Sequence, residues 1–336
     1  MSVTIKDVAK YAGVSHPTVS MVIHDDPRIS KKTKKRVHGA IKDLNYHPNY
    51  MARGLVRGRT NTIAIVASFF GSLFELNILM GIEGESEDPK YQINQYTTFG
   101  KEKTKNDIFY SIVHGKRADA VIAVSLKPDE KLAKEFIDNN IPILLLEEDM
   151  EDLDVVKCDN YTGAFIAAEH LIKSGRRKIG IISGEVEGEE VGLSPLERLS
   201  GYKDALAEYG LNFEEKYVST VDNFYYNEGK AAFSRLLDAC PEMDAVFCAA
   251  GDIVAAGSMN VAKNRGIAVP DDIAVVGYDN SYLAEIMTPA LTTVNQPLFQ
   301  MGKEALKVII NKLEGREKDS YVRKIFKPEL VKREST

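Results

Sequence analysis

Two groups of residues in this chain have the types and spacing for recognition chemistry. In the first, Ala9, Gly13 and Val19 stand four and six residues apart, and small hydrogen-bonding and apolar side chains surround them: Ser15, His16, Pro17, Thr18, Ser20 and Met21. A small residue where two helices cross, a glycine in the turn and an apolar anchor in the second helix make the helix-turn-helix pattern. The second group sits where apolar runs end. Glu147 follows Pro142–Leu146, and Asp279 follows Ile273–Tyr278. Carboxylates beyond the carboxyl ends of strands accept hydrogen bonds from small ligands.

Bond-making chemistry finds no such support. GxSxG, a P-loop and a GxGxxG after the first strand are all missing from the sequence. Of the histidines, His16, His24, His38 and His47 lie near the N-terminus, His114 and His170 lie apart, and none has metal-ligand spacing. Cys158, Cys240 and Cys248 form no CxxC and read as reduced, mostly buried thiols. The expectation is no enzyme, no metal and no cofactor.

Charge divides the chain. Residues 1–60 hold 12 Lys/Arg against 4 Asp/Glu, a net of +8; the other 276 hold 31 against 45, a net of −14. A small basic head on a large acidic body points to a polyanion partner for the head alone, although a basic surface also serves plain solubility. With 336 residues, 44% hydrophobic and 27% charged, the chain has material for two or more packed domains. No apolar stretch is long enough to span a membrane, and the charged start MSVTIKDVAK is unlike a secretory leader, so a cytoplasmic location and no membrane partner are expected.

The head parses into three helices. Thr4 caps Ile5–Tyr11, with Val8 and Ala9 inward. Ser15 caps a helix through about Ile23, with Pro17 in its first turn, where no N–H is needed. Ser30 caps Lys31–Leu44, whose Val37, Ala40, Ile41 and Leu44 form an apolar stripe. Such a head lays its second helix in the major groove. His16, Pro17, Thr18, Ser20 and Met21 then face base edges, Met21 suiting thymine methyls, while Val19 and Val22 pack inward. Ser15, Thr18, Lys31, Lys32, Thr33 and Tyr46 are placed to hold phosphates, and Thr4 joins the DNA-facing set. For any one lysine, solubility is an equal reading.

From Asn45 to Arg59 the sequence reads NYHPNYMARGLVRGR. Pro48 fits the first turn of a short helix that is marginal alone. Three arginines point to DNA as the element that orders it, and Leu55 suits an apolar wedge in a minor-groove step. Asn49, Ala52 and Arg53 complete the DNA contacts expected here; the alternative is an ordinary linker.

The run T-I-K-D-V-A-K-Y-A-G-V-S-x-x-T-V-S from Thr4, then L-N-Y-x-P-N and A-R-x-L, resembles the LacI/GalR family of bacterial transcriptional regulators, and later motifs match in order over nearly the whole chain. The resemblance implies a DNA-binding head, a hinge helix whose leucine, here Leu55, enters the central minor groove, and a sugar-binding core that dimerises. Two departures stand out: Pro17 and Met21 occupy positions that are often polar or basic, and His24 stands where asparagine is common.

From Thr60 onward strands alternate with helices. Strands are expected at Thr62–Ala67, Gln92–Tyr96, Ala120–Val124, Pro142–Leu146, Lys178–Ser183, Ala245–Cys248 and Ile273–Tyr278, and helices at Phe74–Glu87, Asp129–Asn139, Gly163–Ser174, Leu196–Tyr209, Glu228–Ala239, Ile253–Arg265 and Phe299–Leu313. That alternation implies doubly wound parallel sheets, and its restart at Lys178 implies two lobes. The fold class is therefore α/β: an N-terminal all-α helix-turn-helix head plus two doubly wound parallel α/β lobes resembling a periplasmic sugar-binding protein. The expected domains are a head at 1–46, a hinge at 47–59 and a core at 60–336. Within the core, lobe 1 covers 60–158 and 292–322, and lobe 2 covers 159–291 and 323–336.

The resemblance also names cleft residues. Asp279 in V-G-Y-D matches an aspartate that accepts sugar hydroxyls, and Arg198 in R-L-S-G-Y matches an arginine that clamps the effector. Asp159, in the pair Asp159-Asn160 of C-D-N-Y-T-G-A, Phe224 in D-N-F and Gln296 in T-T-V-N-Q-P match further positions, with Phe74 and Glu147 lining the opposite lobe. Each has a plainer reading: Asp159 or Asp279 as a helix cap, Phe224 as core, Arg198 as a surface pair. Ala250-Gly251-Asp252 departs from the family's A-N-D, so part of the usual hydroxyl recognition is replaced.

The function expected is that of a cytoplasmic, nucleoid-associated repressor, a homodimer on pseudo-palindromic double-stranded operator DNA, controlled by a small molecule, a sugar, between the lobes. The rival is a catabolite-control-type regulator gated by a phosphorylated carrier protein; a soluble sugar-binding protein is a third reading, against which the fused head argues. No leucine heptad follows the ending P-E-L-V-K-R-E-S-T, so no tetramerisation helix is expected.

Overall fold

The computed structural model describes residues 3–23, 25–47, 59–85, 90–186, 192–317 and 320–336. The chain divides into a unit of residues 1–60 and a unit of residues 61–336.

Among its described residues the first unit holds three helices: α1, Ile5–Ala12; α2, His16–Ile23; and α3, Lys31–Asp43. Thr4 starts α1 with a capping box: its Oγ1 accepts from the Asp7 N–H at 3.4 Å, and its own N–H donates to Asp7 Oδ2 at 2.8 Å. Gly13 ends the helix in the left-handed region, φ 60°, where a side chain is strained. Val8, Ala9, Ala12, Val19, Val22, Val37 and Ala40 are all buried together, with Ile41, Leu44 and Tyr46 packed against them. The three-helix reading and its inward residues hold. His24 and the segment carrying Asn49, Ala52, Arg53 and Leu55 lie outside the described residues.

The second unit contains two six-stranded sheets. The first is built from β1, Thr62–Ala67; β2, Gln92–Thr97; β3, Ala120–Val124; β4, Ile143–Leu146; β5, Asp154–Cys158; and β11, Arg323–Phe326, in the order β11-β5-β4-β3-β1-β2. The second is built from β6, Ile179–Gly184; β7, Val218–Val221; β8, Ala245–Cys248; β9, Ala274–Tyr278; β10, Thr292–Asn295; and β12, Glu329–Val331, in the order β12-β10-β9-β8-β6-β7. Every pairing is parallel except β10 with β12. Parallel strands covered by helices on both faces read as continuous apolar runs, and β1, β3 and β4 are buried at every residue.

The helices are α4, Leu73–Glu85; α5, Glu102–Val113; α6, Glu130–Asp138; α7, Asn160–Lys173; α8, Leu193–Glu208; α9, Tyr226–Ala239; α10, Asp252–Asn264; α11, Tyr282–Ile286; and α12, Leu298–Leu313. On one face of the first sheet α4 and α12 meet backbone to backbone: a Cβ on Gly81 would lie 2.0 Å from the Phe299 carbonyl oxygen. That close approach seals a core of Ile63, Ile65, Ile122, Leu144, Met301 and Ile309.

Two boundaries of the sequence reading need correction. Thr292–Asn295 pairs with β9 and so belongs to the second lobe, and Arg323–Phe326 pairs with β5 and so belongs to the first. Both strands have only four residues, and R-K-I-F lies exposed at a sheet edge with charges that mask its strand pattern. The chain therefore passes between lobes after Cys158, after Asn295 and after Phe326. Helix α5, with polar residues through its first half, also escaped the sequence reading.

Candidate functional site

The carboxyl ends of the strands carry unusual backbone. Phe99, Ser125, Glu147, Phe224, Gly251 and Asp279, one following each of β2, β3, β4, β7, β8 and β9, all have positive φ, from 51° to 110°. Non-glycine residues held this way cost about 1–3 kcal/mol each, and such strain collects where side chains must be aimed.

Glu147 leaves the end of β4 and is 1% exposed. Its Oε1 accepts from the Cys158 N–H at 2.5 Å; its Oε2 accepts from Asn160 Nδ2 at 2.8 Å and Ser194 Oγ at 3.1 Å. Asn160 opens α7 and Ser194 lies in the first turn of α8, so this carboxylate of the first lobe holds the second. Glu148 adds to that grip by accepting from the Leu193 N–H at 3.1 Å, as does Lys157 Nζ, 2.6 Å from Glu197 Oε1. Burial pushes the Glu147 carboxyl above its ordinary pKa, with Asn160 and the Cys158 amide opposing.

Arg198, on α8, is 8% exposed and stands at the centre. Its Nε donates to Asn160 Oδ1 at 2.8 Å, its Nη1 donates to the Ala249 carbonyl at 2.7 Å, and its guanidinium carbon lies 3.8 Å from the centre of the Tyr278 ring. The Tyr278 hydroxyl donates to the same Asn160 Oδ1 at 3.3 Å. Stacking and two hydrogen bonds fix the fork, with no carboxylate at ion-pair distance among the described residues.

Asp279 follows Tyr278. Gln296 Nε2 donates to its Oδ1 at 2.7 Å, and no described residue donates to its Oδ2. Gly251 stands beside that oxygen: its φ of 110° and ψ of 167° suit glycine alone, and a Cβ there would lie 2.9 Å from Asp279 Oδ2. Asp252, the next residue, is satisfied by the Ser281 N–H at 2.7 Å, Ser281 Oγ at 2.9 Å and Thr293 Oγ1 at 2.6 Å. Burial, and secondarily the charge of Asp279, push Asp252 up to about 7. Burial pushes Asp279 up to about 6 against the pull of Arg198 and Gln296, while Glu147 and Glu75 push with it.

The structure therefore brings Glu147, Arg198, Asp279 and Gln296 to one place. Asp159 does not join them: its Oδ1 accepts from the Thr162 N–H at 2.9 Å and its Oδ2 from the Thr162 hydroxyl at 2.7 Å, so the cap reading holds for it. Phe74 packs against the first lobe's core. Phe224, 38% exposed, lays its ring beside Gly184 at the end of β6, where a Cβ would meet the ring at 2.7 Å. Sequence reasoning missed Glu75, Tyr278 and the bridging role of Asn160. Glu75 was marked by the S-x-x-E spacing from Ser72, whose N–H and hydroxyl both donate to it. A shallow cavity of about 210 Å³ opens among Arg177, Lys178, Tyr202 and Tyr217, at the amino end of β6, away from this cluster.

In the head, Ser15 Oγ accepts from the Thr18 N–H at 3.3 Å and shares a hydrogen bond with Thr18 Oγ1 at 2.8 Å; Ser30 and Thr33 repeat this at 3.3 and 3.0 Å. His16, Pro17, Lys31 and Lys32 are exposed, whereas Thr18, Ser20, Met21, Thr33 and Tyr46 are half-buried. Ser20 and Met21 are thus less open than the sequence suggested, because an eight-residue helix wedged between two others frees only its first turn. The Thr4 hydroxyl is committed to Asp7.

Residues 4–49 match the family described as bacterial regulatory proteins, lacI family, and residues 168–336 match the periplasmic binding protein-like domain. The chain is 35% identical to the HTH-type transcriptional regulator CelR of Thermobifida fusca, covering 99% of this chain and 98% of that protein. It is 34% identical to the HTH-type transcriptional regulator DegA of Bacillus subtilis (strain 168), covering 100% and 98%. Among solved structures it resembles the transcriptional regulator CelR–cellobiose complex, with a TM-score of 0.75 and 32% identity over 99% of this chain and 100% of that one. These relatives are transcriptional regulators, not enzymes.

Proposed function

The chain belongs to the lacI family of bacterial regulatory proteins, and from that premise we propose that it is a cytoplasmic repressor whose hold on operator DNA is set by a sugar bound between its two lobes. As a homodimer it presents two heads to a pseudo-palindromic site, one half-site to each, about one helical turn apart. His16, Pro17 and Thr18 meet base edges, Lys31 and Lys32 meet phosphates, and Leu55 wedges the central step.

One observation carries the small-molecule part: at the end of β9, Asp279 keeps Oδ2 free of donors from the described residues beside the fixed fork of Arg198. A sugar presenting hydroxyls to both is anchored on the second lobe and faces Glu75 of the first, whose charge reaches Asp279. Because Glu147 already ties the first lobe to Asn160 and to Ser194, the latter on the helix that carries Arg198, occupancy alters how the lobes meet and so favours one of two states of the dimer.

The test uses the full chain. Operator fragments are selected from a random duplex pool, and the affinity of the enriched site is measured with and without each member of a sugar panel that includes cellobiose. The reading expects a two-fold symmetric site and at least one sugar that changes affinity by about fivefold or more, the lower range of allosteric coupling. An asymmetric site overturns the paired heads. A response to a phosphorylated carrier protein and to no sugar overturns small-molecule control.

A further inference from the structure

The acceptors around Arg198 outnumber the donors, and the imbalance lies where a ligand would sit. Glu147 and Asp279 both feel the Arg198 guanidinium; the fields of Glu75 and Glu147 reach Asp279, and that of Asp279 reaches Asp252. None of the four forms an ion pair with a lysine or arginine of the described residues, though most other buried acids of the body do: Asp154 with Lys312, Glu148 with Lys127. Arg198 spends Nε and Nη1 on a side-chain amide oxygen and a backbone carbonyl.

Two of the four are saturated. Glu147 and Asp252 each accept three protein donors. The other two are not: Asp279 Oδ2 and Glu75 Oε1 accept nothing from the described residues, and both side chains are half-buried, open enough to be reached. Gln296 supplies an independent sign. It is 3% exposed, its amide nitrogen is fixed on Asp279, and its Oε1 is buried with no donor among the described residues. A buried acceptor left unmatched is costly, and a pair of half-desolvated carboxylates more so. Gly251, bare by necessity of its φ, leaves room over Asp279 Oδ2.

We propose that the small molecule held in this cleft carries a protonated amine, as an amino sugar does, seated against the Asp279 and Glu75 carboxylates. The proposal rests on the reading of this cleft as the effector site and deepens it. An ammonium supplies three donors and one positive charge to a place short of both, while the sugar hydroxyls meet Arg198 and Gln296. Phe224, 38% exposed, offers a ring that suits the apolar face of a sugar. Phosphorylated sugars and sugar acids add negative charge to an acidic surplus and are excluded.

Matched sets separate charge from shape. Calorimetry on the full chain compares glucosamine with N-acetylglucosamine and glucose, the galactose and mannose sets likewise, and the chitosan disaccharide with diacetylchitobiose and cellobiose. In the set that binds, the amine is expected to bind tighter than both neutral members by about tenfold or more. Glu75→Gln and Asp279→Asn are each expected to shrink that ratio; two variants are used because Glu75 also caps α4. A neutral member that equals or exceeds its amine overturns the proposal and leaves sugar control standing. An amine that binds without changing operator affinity overturns sugar control and leaves the amine site standing. Binding by no amine overturns the proposal outright, and the operator assay then judges sugar control separately.

Discussion

Glu147 and Asp279 hold equivalent places in the two lobes. Each is the first residue beyond a central parallel strand, each has left-handed backbone, and each is a carboxylate pushed up by burial. Their surroundings differ. Among the described residues Glu147 has three protein donors, two of them from the other lobe, whereas Asp279 has one, Gln296, just past the neighbouring strand of its own sheet. The same position in the same architecture thus braces the lobes in one case and leaves a carboxylate oxygen without a described donor in the other. What distinguishes them is who supplies the donors, and with that how far each stays open: Glu147 is fully buried and Asp279 half-buried.

That contrast breaks or stands on stability first. Glu147→Ala strands the Asn160 amide, the Ser194 hydroxyl and the Cys158 N–H, and is expected to cost about 3 kcal/mol or more in urea unfolding. Asp279→Ala removes one hydrogen bond and a strained acidic neighbour, and is expected to cost less than about 1 kcal/mol while abolishing the effector response. Equal costs would erase the distinction. Arg198→Ala falls between them, at about 2 kcal/mol, because Asn160 and the Ala249 carbonyl lose a charged donor; the effector response is lost and operator binding is kept. A response retained at the same effector concentration would remove Arg198 from the receptor.

Titration sharpens the comparison further. Asp252 and Asp279 have raised pKa values in the folded chain, about 7 and about 6 against an ordinary 3.8. The protonated forms are favoured by folding, so their contribution to stability is full below about pH 4 and is lost as pH rises through 6 and 7. The melting temperature is expected to fall between about pH 5 and about pH 8, and to fall less in Asp252→Asn. An unchanged slope places the pH dependence elsewhere. The smallest effect belongs to Asp159→Ala, about 1 kcal/mol for a lost helix cap, with the effector response intact; a lost response would return Asp159 to the cleft.

Much of this was legible beforehand because the physics is local. Gly13, Thr4, Ser15 and Ser30 announce caps and turns whatever surrounds them, and fully buried runs such as T-I-A-I-V-A announce strands. Asp279 and Gln296 were readable from motif and strand-end position. Asp159 and Asn160 show where such reading stops. Adjacent in sequence, they part company in space: one caps its helix, and the other ties together Glu147, Arg198 and Tyr278, residues from positions 147 to 278. Local pattern cannot say which of two neighbours points into a cleft. Edge strands fail for a related reason, since Arg323–Phe326 owes its conformation to pairing with Asp154–Cys158, far back in the chain.

That distant pairing also sets an order of events on the ribosome. The first sheet emerges through Cys158 without its last strand, and its Ile63, Ile65, Ile122 and Leu144 face is without α12 until residues 298–313 follow. At roughly 5–20 residues per second, synthesis of the intervening second lobe takes on the order of 10–30 s. For that interval the nascent chain displays an apolar sheet face covered by α4 alone beside an open strand edge, the kind of surface that chaperones bind and that sticks to its neighbours. The threading that joins the lobes in the finished protein makes its translation the hazardous stage.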